Sequence, residues 1–88
     1  MDKKEYNMRM KMAKEKENLM ADCFRKSNIV LEDIKHDVDS GIKENRKEKW
    51  MQFMSLLDDA KAYSLEAREI TQPIIDEMIE KRKRKNVG

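Results

Sequence analysis

The chain has 88 residues, of which 43% are charged and 39% hydrophobic, and its formal net charge is +2. A chain of this length forms one domain and buries a modest fraction of its surface, so a second subunit would add to its stability. The small net charge does not by itself demand a nucleic-acid partner. Two Gly and one Pro leave few places for turns, and abundant Lys, Glu, Met, Leu and Ala favour helix, so we expect an all-α protein.

The cysteine count and the hydropathy pattern indicate the compartment. A single Cys excludes an internal disulfide framework and is typical of a reducing, intracellular setting. The first residues carry no apolar run of the kind found in a signal peptide, and no segment approaches the length of a membrane span. We therefore expect a cytoplasmic protein that makes no membrane contact.

Residues 3–38 are predicted to form one long helix. When Glu17 is counted, apolar or small residues recur at alternating spacings of three and four, as in a coiled coil: Tyr6, Met10, Ala13, Met20, Phe24, Ser27, Leu31, Ile34 and Val38. We expect the second half of this helix to form core and the first half to be partly exposed. Ser27 and Asn28 prefer caps to helix interiors, so a new helix starting at Ile29 is the alternative.

The clearest turn before the proline lies near residues 39–41. Cap-type residues precede Gly41, which can adopt a positive φ. The second helix can begin at Ser40, or at Asn45 with Glu48 completing a capping box, and the pattern leaves both starts open. In either case it predicts a long antiparallel helical hairpin.

Residues 50–57 are the densest apolar segment of the chain. On a helix their apolar side chains cover an arc of about 220°, which one neighbouring helix cannot bury. The segment therefore needs neighbours on two sides, supplied by the same chain or by a second copy. We expect a homodimer whose core and interface contain Phe24, Leu31, Trp50, Phe53, Met54 and Leu57.

The second helical arm is interrupted at Pro73. From Phe53 to Met78 apolar or small residues again follow spacings of three and four. Pro73 predicts either a kink or a fresh helix capped by Thr71. We expect a third, C-terminal helical arm beyond it, so that residues 1–80 form a single helical domain in a dimeric bundle and residues 81–88 form a basic C-terminal tail.

Residue types that support catalysis are sparse. The chain has no Gly-rich phosphate loop, and its one Cys and one His lie far apart. Asp33 and His36 have the spacing used in helix-bundle metal sites, but no second such motif accompanies them. Acidic residues between 66 and 80 loosely resemble the magnesium-holding helices of all-helical nucleotide pyrophosphohydrolases, yet Pro73 separates them and nearby Lys and Arg neutralise them. A metal-dependent hydrolase is therefore the least favoured function, and we expect no enzyme and no cofactor.

The one block of like charges lies at the C-terminal end. Such a block can bind phosphates, although cations near a helix C-terminus also stabilise the helix itself. The block lacks interleaved aromatic residues, which argues against binding by base stacking. Nucleic-acid binding is accordingly the alternative function, and its candidate residues are Lys81, Arg82, Lys83, Arg84 and Lys85.

Methionine is abundant, with eight in 88 residues. Its flexible side chain suits surfaces that adapt to a partner, and the first helix carries three Met among Lys and Arg without a surrounding cluster of Leu or Ile. Tyr, Met and Arg are enriched in interface cores, so we predict that Tyr6, Met8, Arg9 and Met12 contact a protein partner. The favoured function is a small non-enzymatic regulator or inhibitor that binds another protein through a helical surface.

Overall fold

The computed structural model describes residues 1–87 of the chain, and the side chains of residues 1–85. These residues form two helices, α1 (Lys3–Asp39) and α2 (Arg46–Val87), which pack against each other. The predicted all-α class and the predicted long first helix are confirmed. The short connection between the helices makes the molecule a helical hairpin.

The first helix has a capped start and an uninterrupted middle. The side chain of Asp2 accepts a hydrogen bond of 2.7 Å from the backbone N–H of Glu5, which satisfies one of the unpaired donors at the helix start. The helix does not restart at Ser27. The hydroxyl of Ser27 donates to the carbonyl of Phe24 at 2.8 Å, and its small side chain lies buried between the helices.

A Schellman motif ends α1 and confirms the predicted hinge near residues 39–41. Gly41 has φ +71°, and its N–H donates to the carbonyl of Val38, while the N–H of Ile42 donates to the carbonyl of Asp37 at 2.8 Å. The second helix begins after Asn45, whose carbonyl accepts from the N–H of Lys49. The later of the two predicted starts is therefore the one that the chain uses.

The second helix continues through Pro73, so the structure does not show the predicted third arm as a separate element. Thr71, the predicted cap, instead donates its hydroxyl to the carbonyl of Ala67 at 3.1 Å within the same helix. The chain after Pro73 is the C-terminal part of α2. The predicted basic tail begins as the last turns of this helix, and its final residue lies outside the described part of the chain.

The two helices form a single layer with little interior. The Cα atoms span 67 × 26 × 14 Å with a radius of gyration of 19.9 Å, whereas a compact domain of this length has a radius of about 12 Å. Only one strip between the helices is shielded from water. Among the described residues, the buried hydrophobic side chains are Ala13, Ile34, Ala60 and Ile74.

The buried strip of α1 follows a seven-residue repeat, whose positions we letter a to g. Position a carries residues that the sequence predicts for the seam, namely Ala13, Met20, Ser27 and Ile34. Position d carries Arg9, Lys16, Cys23, Val30 and Asp37, all buried or half-buried. The sequence pattern instead predicts the e residues Met10, Glu17, Phe24, Leu31 and Val38, of which all but Leu31 are exposed. This half of the predicted seam is wrong because α1 is rotated to bring charged d residues against α2.

The strip of α2 shows the same repeat. Position a carries Phe53, Ala60, Ala67 and Ile74, and position d carries Lys49, Leu56, Tyr63, Ile70 and Glu77. In an antiparallel pair with this repeat, the e positions of both helices border one broad face of the layer and the g positions border the other. We call these the e face and the g face.

Candidate functional site

Three of the six residues predicted for the core and interface lie exposed on the surface of the hairpin. Phe24, Trp50 and Met54 are 44%, 42% and 53% exposed. Leu31 and Leu57 are half-buried, and Phe53 lies in the seam, where its ring meets that of Trp50 edge to face at a centroid distance of 5.7 Å. Within a single chain these six residues therefore do not form a shared interior. Their part in a dimer remains a prediction.

Six of the apolar residues near the loop belong to one broad face. Phe24, Leu31 and Val38 occupy consecutive e positions of α1, Trp50 and Leu57 occupy consecutive e positions of α2, and Met54 stands one helical turn from Trp50. We call these six residues the loop-end patch. Farther from the loop the next e positions are polar, with Glu17 in α1 and Ser64 and Thr71 in α2. At the open end the e positions are again apolar and exposed, with Met10 in α1 and Met78 in α2. Polar residues thus separate the loop-end patch from a smaller apolar area at the open end of the same face.

The loop-end patch continues into an open cleft on α2. Trp50, Met51 and Met54 line this cleft together with Lys47, Ser55 and Asp58. An exposed Trp and two exposed Met form a large and adaptable apolar surface, and charged side chains lie beside it. Apolar surface with a polar surround is the usual composition of a protein-binding site.

The opposite face is held by ion pairs between the helices. Lys16 lies 2.8 Å from Glu66 and stands over the ring of Tyr63, and Lys49 lies 2.9 Å from Asp33 and also contacts the buried carboxylate of Asp37. The sequence reasoning missed these pairs. The only feature of the sequence that indicates these ion pairs is the presence of charged residues at the spacing of the seam, and their partners lie many residues away.

These ion pairs shift the pKa values of their lysines. The hydrogen bond that Lys49 donates to Asp37, followed by the one that it donates to Asp33, raises the pKa of Lys49 above its usual range. The hydrogen bond and charge of Glu66 raise the pKa of Lys16 in the same direction. Both lysines therefore stay charged through the neutral range and hold the register of the two helices.

The predicted partner-binding residues lie near the open end of the hairpin. Tyr6, Met8 and Met12 are 43%, 56% and 44% exposed. Met8 and Met12 stand one turn apart, with Met12 at a g position, so they share the side of α1 next to the g face. Arg9 has a structural role, since its guanidinium donates to Glu5 and to the carbonyl of Ile70 in α2, each at 3.2 Å. The structure thus brings the two methionines together beside an arginine that is already hydrogen-bonded.

The five basic residues of the nucleic-acid alternative are exposed on the last turns of α2. Lys81 lies 3.7 Å from Glu77, and Arg84 lies 3.1 Å from Glu80. Five consecutive helical residues point in all directions around the axis. The charges of residues 81–85 therefore encircle the helix and do not line one side of it.

The candidate metal ligands and membrane segments give no further site in the described part of the chain. Asp33 pairs with Lys49, His36 is exposed, and Glu66 is paired with Lys16. Within residues 1–87, no group of three or more His, Cys, Asp and Glu is arranged to hold a metal ion. In the same range, no helix is long and apolar enough to cross a bilayer.

These features define a class of structure, an all-α helical hairpin with an ion-paired face and open apolar surfaces at both ends. Comparison of the chain with protein families, with curated proteins and with solved structures found no match.

Proposed function

We propose that this chain is a small non-enzymatic protein that regulates or inhibits another protein by binding it through a helical surface. One observation carries the proposal. Seventeen large hydrophobic side chains of the described chain are exposed, whereas only four hydrophobic side chains are buried. Single exposed apolar residues are ordinary, but contiguous exposed patches mark interaction sites in soluble proteins.

The partner-binding site is the N-terminal surface formed by Tyr6, Met8, Arg9 and Met12. Its methionines gain little from packing within their own chain, because both are about half exposed at the open end of the hairpin. Arg9 is tied to both helices, so it offers a partner a positioned cation at low entropic cost. A flexible apolar pair beside a fixed charge suits the apolar surface of another protein.

The proposed working unit is a homodimer. A single layer of two helices leaves both broad faces of each helix open, and a second copy covers one of them. The loop-end patch and the N-terminal surface lie at opposite ends of the hairpin. Dimer formation and partner binding therefore need not compete for the same residues.

The experiment starts from affinity capture in the native host, using the full chain as bait, followed by identification of the retained protein by mass spectrometry. The purified candidate partner is then titrated by calorimetry with the wild type, with Met8→Glu and with Ile29→Glu. Met8 and Ile29 occupy the same repeat position of α1, three repeats apart, and are 56% and 70% exposed. Ile29→Glu is therefore a matched control for the same change of charge.

A buried glutamate at the interface weakens binding because its charge loses water without gaining a partner. We expect Met8→Glu to weaken binding by at least ~10-fold, or about 1.4 kcal/mol, and Ile29→Glu to leave it unchanged. Equal affinity of both variants and the wild type would place the docking surface elsewhere. Binding that disappears on replacement of residues 81–85 with Ser and falls steeply with salt would favour the nucleic-acid alternative.

A further inference from the structure

We infer that the loop-end patch is covered by a second copy of the chain, and that two hairpins stack with their e faces together and both loops at the same end. The inference rests on the proposed homodimer and adds which face is buried and how the copies are oriented. The product is a four-helix bundle in which α1 of each copy lies over α2 of the other.

The exposed area shows how much surface is available for burial. The chain exposes 7281 Å² at a mass of 10.6 kDa. A compact monomer of this mass exposes about 5,500 Å², so the hairpin carries an excess of about 1,800 Å². A standard interface needs only about 800 Å² from each partner. The hairpin therefore has more than enough surplus surface for a stable dimer.

The distribution of apolar residues selects the e face. Lys16 pairs with Glu66 and Asp33 with Lys49, and this register sets Leu31 level with Trp50 and Phe24 level with Leu57. Four large side chains thus form two adjacent rows across both helices. The g face lacks such rows near the loop, because Asp33 and Lys49 lie there as an ion pair. Only the e face offers a continuous apolar surface in this half of the hairpin.

The charges beside the patch favour one orientation of the second copy. A twofold axis parallel to the helices places α1 over α2 of the other copy at the same height as within one chain. In that arrangement Arg25 lies near Asp58 of the second copy, whereas Glu32 and Lys35 both lie near its Lys47, so the charges around Lys47 are of both signs. The Arg25–Asp58 pair has opposite charges and occurs twice in the dimer. Together with the surplus area, this self-complementary pair favours a second copy as the occupant.

The arrangement leaves the N-terminal surface accessible. Met8 and Met12 lie on the side of the g face and at the open end, whereas the buried patch lies on the e face at the loop end. A dimer of this kind presents two partner-binding surfaces on its outside. Binding of a dimeric or multivalent partner would then gain affinity from both surfaces.

Light scattering after size exclusion, with circular dichroism to check folding, tests the buried face. The variant Met54→Glu changes a patch residue that is 53% exposed in the single chain, so the hairpin itself tolerates the charge; the control Leu65→Glu changes a residue of the same helix that is 51% exposed. We expect dimers for the wild type and for Leu65→Glu, and a helical monomer for Met54→Glu at micromolar concentration. A Met54→Glu variant that remains dimeric overturns the assigned face and leaves the homodimer standing, whereas a monomeric wild type overturns both. Neither result bears on partner binding, which the Met8→Glu titration tests separately.

Cysteine cross-linking tests the orientation. In a background with Cys23→Ser, the single variants Arg25→Cys and Asp58→Cys are prepared separately and mixed under oxidising conditions. We expect the mixture to form a covalent dimer faster than either variant alone, because the two positions face each other only between copies. Equal or faster cross-linking of each variant with itself would overturn the proposed orientation.

Discussion

Truncation of Trp50 should weaken the dimer far more than it weakens the hairpin. The residue is 42% exposed in the single chain. A Trp side chain buries up to about 250 Å², so about 100 Å² remains for a second copy to cover. At about 25 cal/mol per Å² this area contributes about 2.5 kcal/mol per copy, and about 5 kcal/mol in a symmetric dimer. We therefore expect Trp50→Ala to raise the dimer dissociation constant by on the order of 10³-fold or more.

Sedimentation equilibrium over a wide concentration range measures this dissociation constant. The control is Ile29→Ala, which truncates a residue of α1 that is 70% exposed and lies at the same repeat position as Met8, on the side away from the e face. We expect the control to change the constant by less than ~10-fold. If Trp50→Ala changes it no more than Ile29→Ala does, the indole is not at the interface and the assignment of the loop-end patch is refuted.

Three further predictions concern the hairpin itself. Ile34→Ala should lower the free energy of unfolding by about 2 to 5 kcal/mol in urea titrations, because Ile34 is 3% exposed, whereas Ile29→Ala should change it by less than ~0.5 kcal/mol; equal effects would contradict the seam. Since the folded-state pKa of Lys49 is raised above 10.5, its pairing stabilises the fold fully below that pH and is lost as pH rises through the folded value. The urea midpoint should therefore fall less steeply between neutral and strongly alkaline pH in Lys49→Met than in the wild type, and identical slopes would count against the pair. Replacing residues 81–85 with Ser should change the free energy of unfolding by less than ~0.5 kcal/mol, and a larger loss would show that these exposed charges support the helix.

The helices and their connection could be predicted because their signals are local. The alternating spacing of apolar residues from Tyr6 to Val38 predicts one long helix, and Gly41 after a run of cap-type residues predicts the turn. Pro73 shows the limit of local rules. A proline removes one backbone donor and crowds one turn, but α2 continues on both sides of it.

The seam was predictable only in part, for a physical reason. Apolar residues occupy three neighbouring positions of the repeat, so periodicity alone does not decide which flank turns toward the second helix. The choice is made by charged residues whose partners lie far away in sequence, as Lys16 with Glu66 and Asp37 with Lys49. Phe24, which the spacing predicts for the seam, and Trp50, which we expect in the core and interface, are both exposed on the e face.

At the N-terminal surface, too, the sequence predicts only part of what the structure shows. The sequence shows that Met8 and Met12 lack apolar neighbours of their own, and the structure leaves both exposed on one side of α1. The pattern could not show that Arg9 is hydrogen-bonded to α2, because the acceptor is a backbone carbonyl that only tertiary packing brings near. Side-chain composition therefore predicts that a surface exists, and packing determines which of its groups remain available.

The most direct test of the account is methionine oxidation, followed residue by residue by mass spectrometry on the intact chain at micromolar concentration. Met8 and Met54 are 56% and 53% exposed in the single hairpin, so an isolated hairpin oxidises both at similar rates. We predict that Met54 oxidises several-fold more slowly than Met8, because a second copy covers the loop-end patch, and that an added protein partner then slows the oxidation of Met8 as well. Equal rates for the two residues, unchanged by dilution or by the partner, would contradict it.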